Sequence, residues 1–221
     1  VVVTCLWALA GVSALAMGGT AMLLRAKSQG SLPPQQQLLA PDSSTAAGDN
    51  GQGMPVLFDA PSFALHDQNG SPFSSGQLHG KVWVADFIFT HCTSLCPLMT
   101  RNLATFQKMT ADVPAIAMVS FTVDPDRDTP AVLHDYADAN QANGSRWHFL
   151  TGTRDQTWDI SKAMKLAVEP DRGSQVMHSS HFLLVDGNGK VRGVYDSNTA
   201  GFLTQLVADA KRLASGAEKL D

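Results

Sequence analysis

The sequence predicts a three-layer α/β domain built on a mixed central sheet, and three observations carry that prediction. Two runs, "KVWVADFIF" (81–89) and "AIAMVSFTV" (115–123), are almost continuously apolar and rich in β-branched and aromatic residues, as strands buried on both faces are. Amphipathic helical segments alternate with these strands. A hairpin, "HFLLVD" and "KVRGVY" around the Gly-rich turn "GNG", comes near the end and is followed by one more helix.

The chain has 221 residues, 44% of them hydrophobic, enough for one full domain and an extra segment. Residues 1–24, "VVVTCLWALAGVSALAMGGTAMLL", carry no charge and are long enough to cross a bilayer as a helix, so they are expected to form a membrane anchor. Arg25 and Lys27 follow; by the positive-inside rule alone they favour a cytoplasmic C-terminal side, but two charges with the other flank unknown decide little. Cys5, inside the anchor, reads as a small apolar residue. Residues 25–54, rich in Gln, Ser, Pro, Ala and Gly without apolar period, are expected to be a flexible linker, and 55–221 the folded domain.

Within that domain, "SFALHDQNGSPFS" carries Asn69-Gly70 at its middle, the dipeptide that favours a type I′ hairpin turn. The strand at 81–89 leads into a helix from Pro97 to about Met109, with Leu98, Leu103, Phe106 and Met109 as expected core positions. After the strand at 115–123, Thr129 as N-cap and Pro130 at the first helical position open a second helix. "WHFLTG" suits a strand. "TRDQTWDISKAMKLAV" suits a helix that turns Trp158, Ile160, Met164, Leu166 and Val168 inward. "NTAGFLTQLVADAKRLAS" closes the chain as an amphipathic helix. This order is shared by thioredoxin-like folds; the alternative, a doubly wound nucleotide-binding domain, lacks its Gly-rich turn after the first long strand.

Cysteines stand where those glycines would be, in "DFIFTHCTSLCP" (86–97). The strand should deliver Cys92 and Cys96 to the carboxyl edge of the sheet, where open α/β sheets place their chemistry. A helix N-terminus offers unpaired N–H groups and partial positive charge, which favour thiolate. Residues i and i+4 of a helical turn share a face, a spacing that permits a disulfide or a shared soft metal ion such as Cu(I) or Zn(II). The pair alone does not choose. A purely structural bridge would close a very short loop and stabilise little.

Seven histidines compete to be a third ligand. His66, His79, His134 and His148 fall in turns or on helix and strand patterns with ordinary structural readings, and His91 precedes Cys92. In thioredoxin-like folds the loop before the strand at 181–186 packs against the active-site turn, with a cis-proline three residues before the strand's first apolar residue. Counting back from Phe182 puts Ser179 at that position and His178 one earlier, facing the cysteines. His181 reads as a strand-end structural residue. Two sulfurs and one imidazole suit trigonal Cu(I), whereas zinc wants a fourth ligand.

With Phe89-Thr90-His91-Cys92 through Cys96-Pro97, "TVDPDRDTP" from Thr122 to Pro130, and "HSSHFLLVDGNGKV" from His178, the chain resembles the Sco/SenC family of copper-binding proteins of cytochrome c oxidase assembly. The resemblance implies a thioredoxin-like domain, anchored by one N-terminal helix and facing the periplasm or the mitochondrial intermembrane space. It implies copper bound through Cys92, Cys96 and His178, as Cu(I) with Cu(II) left open, received from a copper donor protein. It further implies delivery of that copper to, or reduction of cysteines at, the binuclear copper site of an oxidase subunit. Asp124 and Asp128 match the family's acidic loop, where partner docking or support of the site competes with turn formation and helix capping.

Two departures stand out: Thr93-Ser94-Leu95 replaces the Pro-Asp-x of many members, and Met177 replaces an acidic residue before the ligand histidine. The rival reading is a thiol–disulfide oxidoreductase in which Cys92 attacks and Cys96 resolves. A third, a peroxidase related to the peroxiredoxins, is favoured only by the "DQNGSPFSSGQLHGKVWVADF" opening and Thr90. A net charge of −4 without a basic run argues against a nucleic-acid partner.

Overall fold

The two long apolar runs become the paired strands at the centre of the sheet. The computed structural model describes residues 53–93, 95–166 and 179–216. The anchor expected over 1–24, residues 25–52 of the linker, Val168, Met177 and His178 lie outside these. No helix among the described residues is long and apolar enough to cross a membrane.

In chain order the elements are β1 (Phe58–Asp59), β2 (Ala64–His66), β3 (Pro72–Ser74), a 3₁₀ turn (Ser75–Leu78), β4 (Val82–Ile88), α1 (Cys96–Met109), β5 (Ile116–Thr122), α2 (Pro130–Ala139), β6 (Trp147–Leu150), α3 (Arg154–Ala163), β7 (His181–Val185), β8 (Lys190–Asp196) and α4 (Phe202–Ala214). Six strands form one mixed sheet in the order β1-β8-β7-β4-β5-β6; β2 and β3 form a separate hairpin. β4, β5 and β6 run parallel, in the register Val84↔Met118 and Met118↔Trp147. β7 joins β4 antiparallel through Ala85↔Leu183. This is the expected thioredoxin-like α/β architecture.

Alternation along β4 divides the core in two. Val82, Val84 and Ile88 face Met99, Leu103 and Phe106 of α1, Leu133 and Ala137 of α2, and Leu206 and Ala210 of α4. Trp83, Ala85 and Phe87 face Phe63, Leu65 and Phe73 around the hairpin, with Ile160 of α3 and Met164 just beyond it. The parallel β4-α1-β5 and β5-α2-β6 crossovers thus put both helices on one face, as right-handed connections of the same direction must. Burying each of these large side chains is worth about 1.5–3 kcal/mol.

Four expectations are corrected. Leu98 and Met109 are exposed, at 42% and 41%, because the inward stripe of α1 is Cys96, Met99, Leu103 and Phe106. The hairpin turn is not type I′: Gly70 takes a φ of 74° but Asn69 stays at negative φ. The Asp67 carboxylate instead accepts the N–H groups of Asn69 and Ser71, and the Gly70 N–H donates to the Asp67 carbonyl. Third, α3 ends at Ala163 rather than near Val168, with Lys165 at a φ of 56° just after it. Finally, α1 begins at Cys96, one residue before Pro97.

Candidate metal centre

β4 runs out at Ile88, and the next seven residues turn the chain into α1. The Cys92 N–H donates to the Phe89 carbonyl at 3.2 Å, closing that turn. Pro97 occupies a first-turn position where its missing N–H costs nothing. Leu95 is the N-cap but has no side-chain acceptor, so the first N–H groups of the helix must find partners elsewhere. One of them, from Cys96, donates to the Cys92 sulfur at 3.3 Å. The Cys92 side chain therefore performs a capping task, and the two cysteines lie on the same turn at the carboxyl edge of the parallel strands.

Both cysteines are buried, at 7% and 2% exposure, and belong to the apolar cluster on the α1 face of the sheet. Burial pushes the Cys96 thiol far above its ordinary value, against a smaller opposing contribution from the Phe89 backbone; Cys92 and the Asp86 charge push the same way. For Cys96, loss of solvation works against the thiolate that a helix N-terminus was expected to favour. A metal that takes this sulfur must displace its proton.

The antiparallel register of β7 on β4 brings the start of β7 to the end of β4 from which the cysteine turn emerges. At that entrance Ser179 is buried, and its hydroxyl lies 3.2 Å from His181 Nδ1 and accepts the His181 N–H at 3.3 Å. Of the other histidines, His66 pairs with Thr151 through its backbone, His134 lies 3.6 Å from Asp138 on α2, and the His148 ring packs at a tilt on Phe73. Among the described residues no three His, Cys, Asp or Glu side chains form a group able to hold a metal ion. Cys92 and Cys96 offer two sulfur donors suited to a soft ion.

One feature of the site escaped the sequence reading, and a second was read only as an acidic loop, without its partners. Asp86 sits in the middle of β4, fully buried, on the same sheet face as the cysteines. Ser120 donates to its Oδ1 at 2.6 Å, Trp147 Nε1 donates to Ser120 at 3.0 Å, and Oδ2 has no partner among the described residues. Burial raises its carboxyl from the usual range to about 7. The signal was a single acid in an otherwise apolar run. The second feature is a clamp. Asp128, also fully buried, accepts the hydroxyls of Thr90 and Thr122, each at 2.5 Å, and the Thr90 N–H at 3.2 Å. Asp124, by contrast, is only part-buried and lies 3.6 Å from Arg127.

Residues 58–215 match the family model SCO1/SenC. A SCO1/SenC family lipoprotein from Bacillus anthracis is 39% identical, with a TM-score of 0.67 over 72% of this chain and 97% of that one. BsSco, described as a member of the Sco family of cytochrome c oxidase assembly proteins, is 33% identical, with a TM-score of 0.66 over 75% and 99%. Yeast Sco1 with copper bound is 26% identical, with a TM-score of 0.60 over 75% and 94%. A family match that spans both the cysteine turn and the acidic loop, on the same fold, establishes that this chain belongs to the SCO1/SenC family.

Proposed function

We propose that the chain is a membrane-anchored copper carrier in which Cys92, Cys96 and His178 hold one Cu(I). The observation that carries this reading is the cysteine turn, where two buried sulfurs, one tied to the backbone of the other residue, sit at the sheet edge next to the entrance of β7. Soft sulfur donors favour Cu(I), and burial keeps competing water away. Residues 1–24 serve as the anchor, 25–54 as the linker and 55–221 as the copper-binding domain, which faces the periplasm or intermembrane space. The cargo comes from a copper donor protein and goes to the binuclear copper site of a cytochrome c oxidase subunit, a role supported by the Sco family's place in oxidase assembly.

The test is a Cu(I) titration of the reduced chain against a competing chelator, for wild type, His178→Ala and the Cys92→Ser, Cys96→Ser double variant. One tight equivalent that is lost in the double variant and greatly weakened in His178→Ala supports the three-donor carrier. Equal, weak uptake in all three sinks it.

A second reading, thiol–disulfide exchange by the same two cysteines on an extracytoplasmic protein, is favoured by their i, i+4 placement and by the disulfide switch identified in BsSco. Reduction of a protein disulfide that survives His178→Ala distinguishes it, because that chemistry needs no imidazole ligand.

A further inference from the structure

The acidic loop closes on itself and on the cysteine turn. The Asp124 N–H donates to the Thr122 hydroxyl oxygen at 3.0 Å, and the Asp128 N–H to the Asp124 carbonyl at 2.9 Å. The loop thereby points the buried Asp128 carboxylate at Thr90, two residues before Cys92.

A hydroxyl has one proton to give. That of Thr90 goes to Asp128 Oδ1. The 3.1 Å contact between the Thr90 hydroxyl oxygen and His91 Nδ1 then leaves one arrangement, in which Nδ1–H donates to Thr90. Asp128 Oδ1 lies 3.9 Å from the same nitrogen and favours the same proton position. In the neutral ring this leaves the lone pair on Nε2, on a side chain 58% exposed to solvent and adjacent in sequence to Cys92. A carboxylate that fixes the tautomer of an imidazole is the usual outer support of a metal-binding histidine.

We propose that His91 is a capture ligand: its Nε2 takes Cu(I) arriving at the surface and passes it inward to the sulfurs of Cys92 and Cys96. This rests on the copper-carrier reading. Copper stays Cu(I) throughout. A copper–sulfur bond forms as the copper–nitrogen bond breaks, and each thiol that becomes a ligand releases its proton to solvent.

Two measurements on the full 221-residue chain test this. Long-range ¹H–¹⁵N NMR of the reduced, metal-free chain should show His91 as the Nδ1–H tautomer, and Thr90→Val should weaken that preference. In stopped flow, Cu(I) supplied as a coloured complex of a weak chelator should be captured about 10-fold more slowly by His91→Ala than by wild type, with one equivalent still taken up. An Nε2–H tautomer in wild type, or equal capture rates, overturns the inference and leaves the copper reading standing. Absence of a bound equivalent in wild type removes the copper reading, and this inference with it.

Discussion

The Cys96 backbone N–H donates to the sulfur of Cys92 at 3.3 Å, so the candidate ligand pair is also the first capping interaction of α1. Metal chemistry and helix start are coupled through one atom. In the reduced chain, buried Cys96 should be alkylated at least about tenfold more slowly than in the denatured chain, because reaction needs an accessible thiolate. Peptide mapping by mass spectrometry after a timed pulse of iodoacetamide separates it from Cys5 and Cys92. Equal labelling before and after denaturation would contradict the burial seen here.

Asp86 gives the fold a pH dependence of defined sign. Its carboxyl is raised from 3.8 to about 7, so the native state holds a proton that the unfolded state has given up. The resulting stabilisation is complete below the unfolded value and is lost as pH rises through the folded one. Urea denaturation should show wild type losing about 2–3 kcal/mol relative to Asp86→Asn between about pH 5 and about pH 8. A difference between the two proteins that is the same at both pH values would show the carboxyl to be unperturbed.

Asp128→Ala removes the acceptor of three donors at once and should cost about 2–4 kcal/mol. Thr122→Val, which removes one donor to Asp128 and the acceptor of the Asp124 N–H, should cost about 1–3 kcal/mol. Hydrogen exchange gives the specific signature: the Thr90 amide should lose protection in Asp128→Ala. Retained protection would mean that the clamp does not hold the cysteine turn.

Arg192 forms a buried ion pair with Asp186 at 2.7 Å and donates to the Met54 carbonyl, fastening the start of the domain to β8. Replacing it with Met strands Asp186 in the interior and should cost about 3–5 kcal/mol. The double variant Asp186→Leu, Arg192→Met should recover much of that loss. Additive losses in denaturation experiments would exclude the pair as the cause.

Leu103 is fully buried and Leu98, five positions earlier on α1, is 42% exposed. Leu103→Ala should cost about 2–5 kcal/mol, whereas Leu98→Lys should stay within about 0.5 kcal/mol. Thermal denaturation of the two variants checks the helix register directly.

That register shows where sequence pattern stops. "CPLMTRNLATFQKM" offers apolar residues at Leu98, Met99 and Met109, and periodicity alone accepts more than one inward face. Packing against β4 and β5 selected the face through Cys96, Met99, Leu103 and Phe106. The hairpin turn went the same way: Asn69-Gly70 suggested one geometry, and the Asp67 carboxylate two residues before imposed another by collecting two amides. β1, two residues long, has no pattern to read and exists because β8 offers it an edge.

The class of the fold, the two central strands, the helix start at Thr129-Pro130 and the position of the cysteine pair were legible in the amino-acid order. The strands, the helix start and the cysteine pair rest on residues within a few positions of one another, and the fold class on the order of such local patterns along the chain. Only the packing of distant segments could show that Asp128 reaches across 38 residues to Thr90, that Asp86 shares its sheet face with the cysteines, and that burial raises the Cys96 thiol above its ordinary value. Those outcomes depend on which groups lose water together when distant strands pair, and no local pattern encodes that loss.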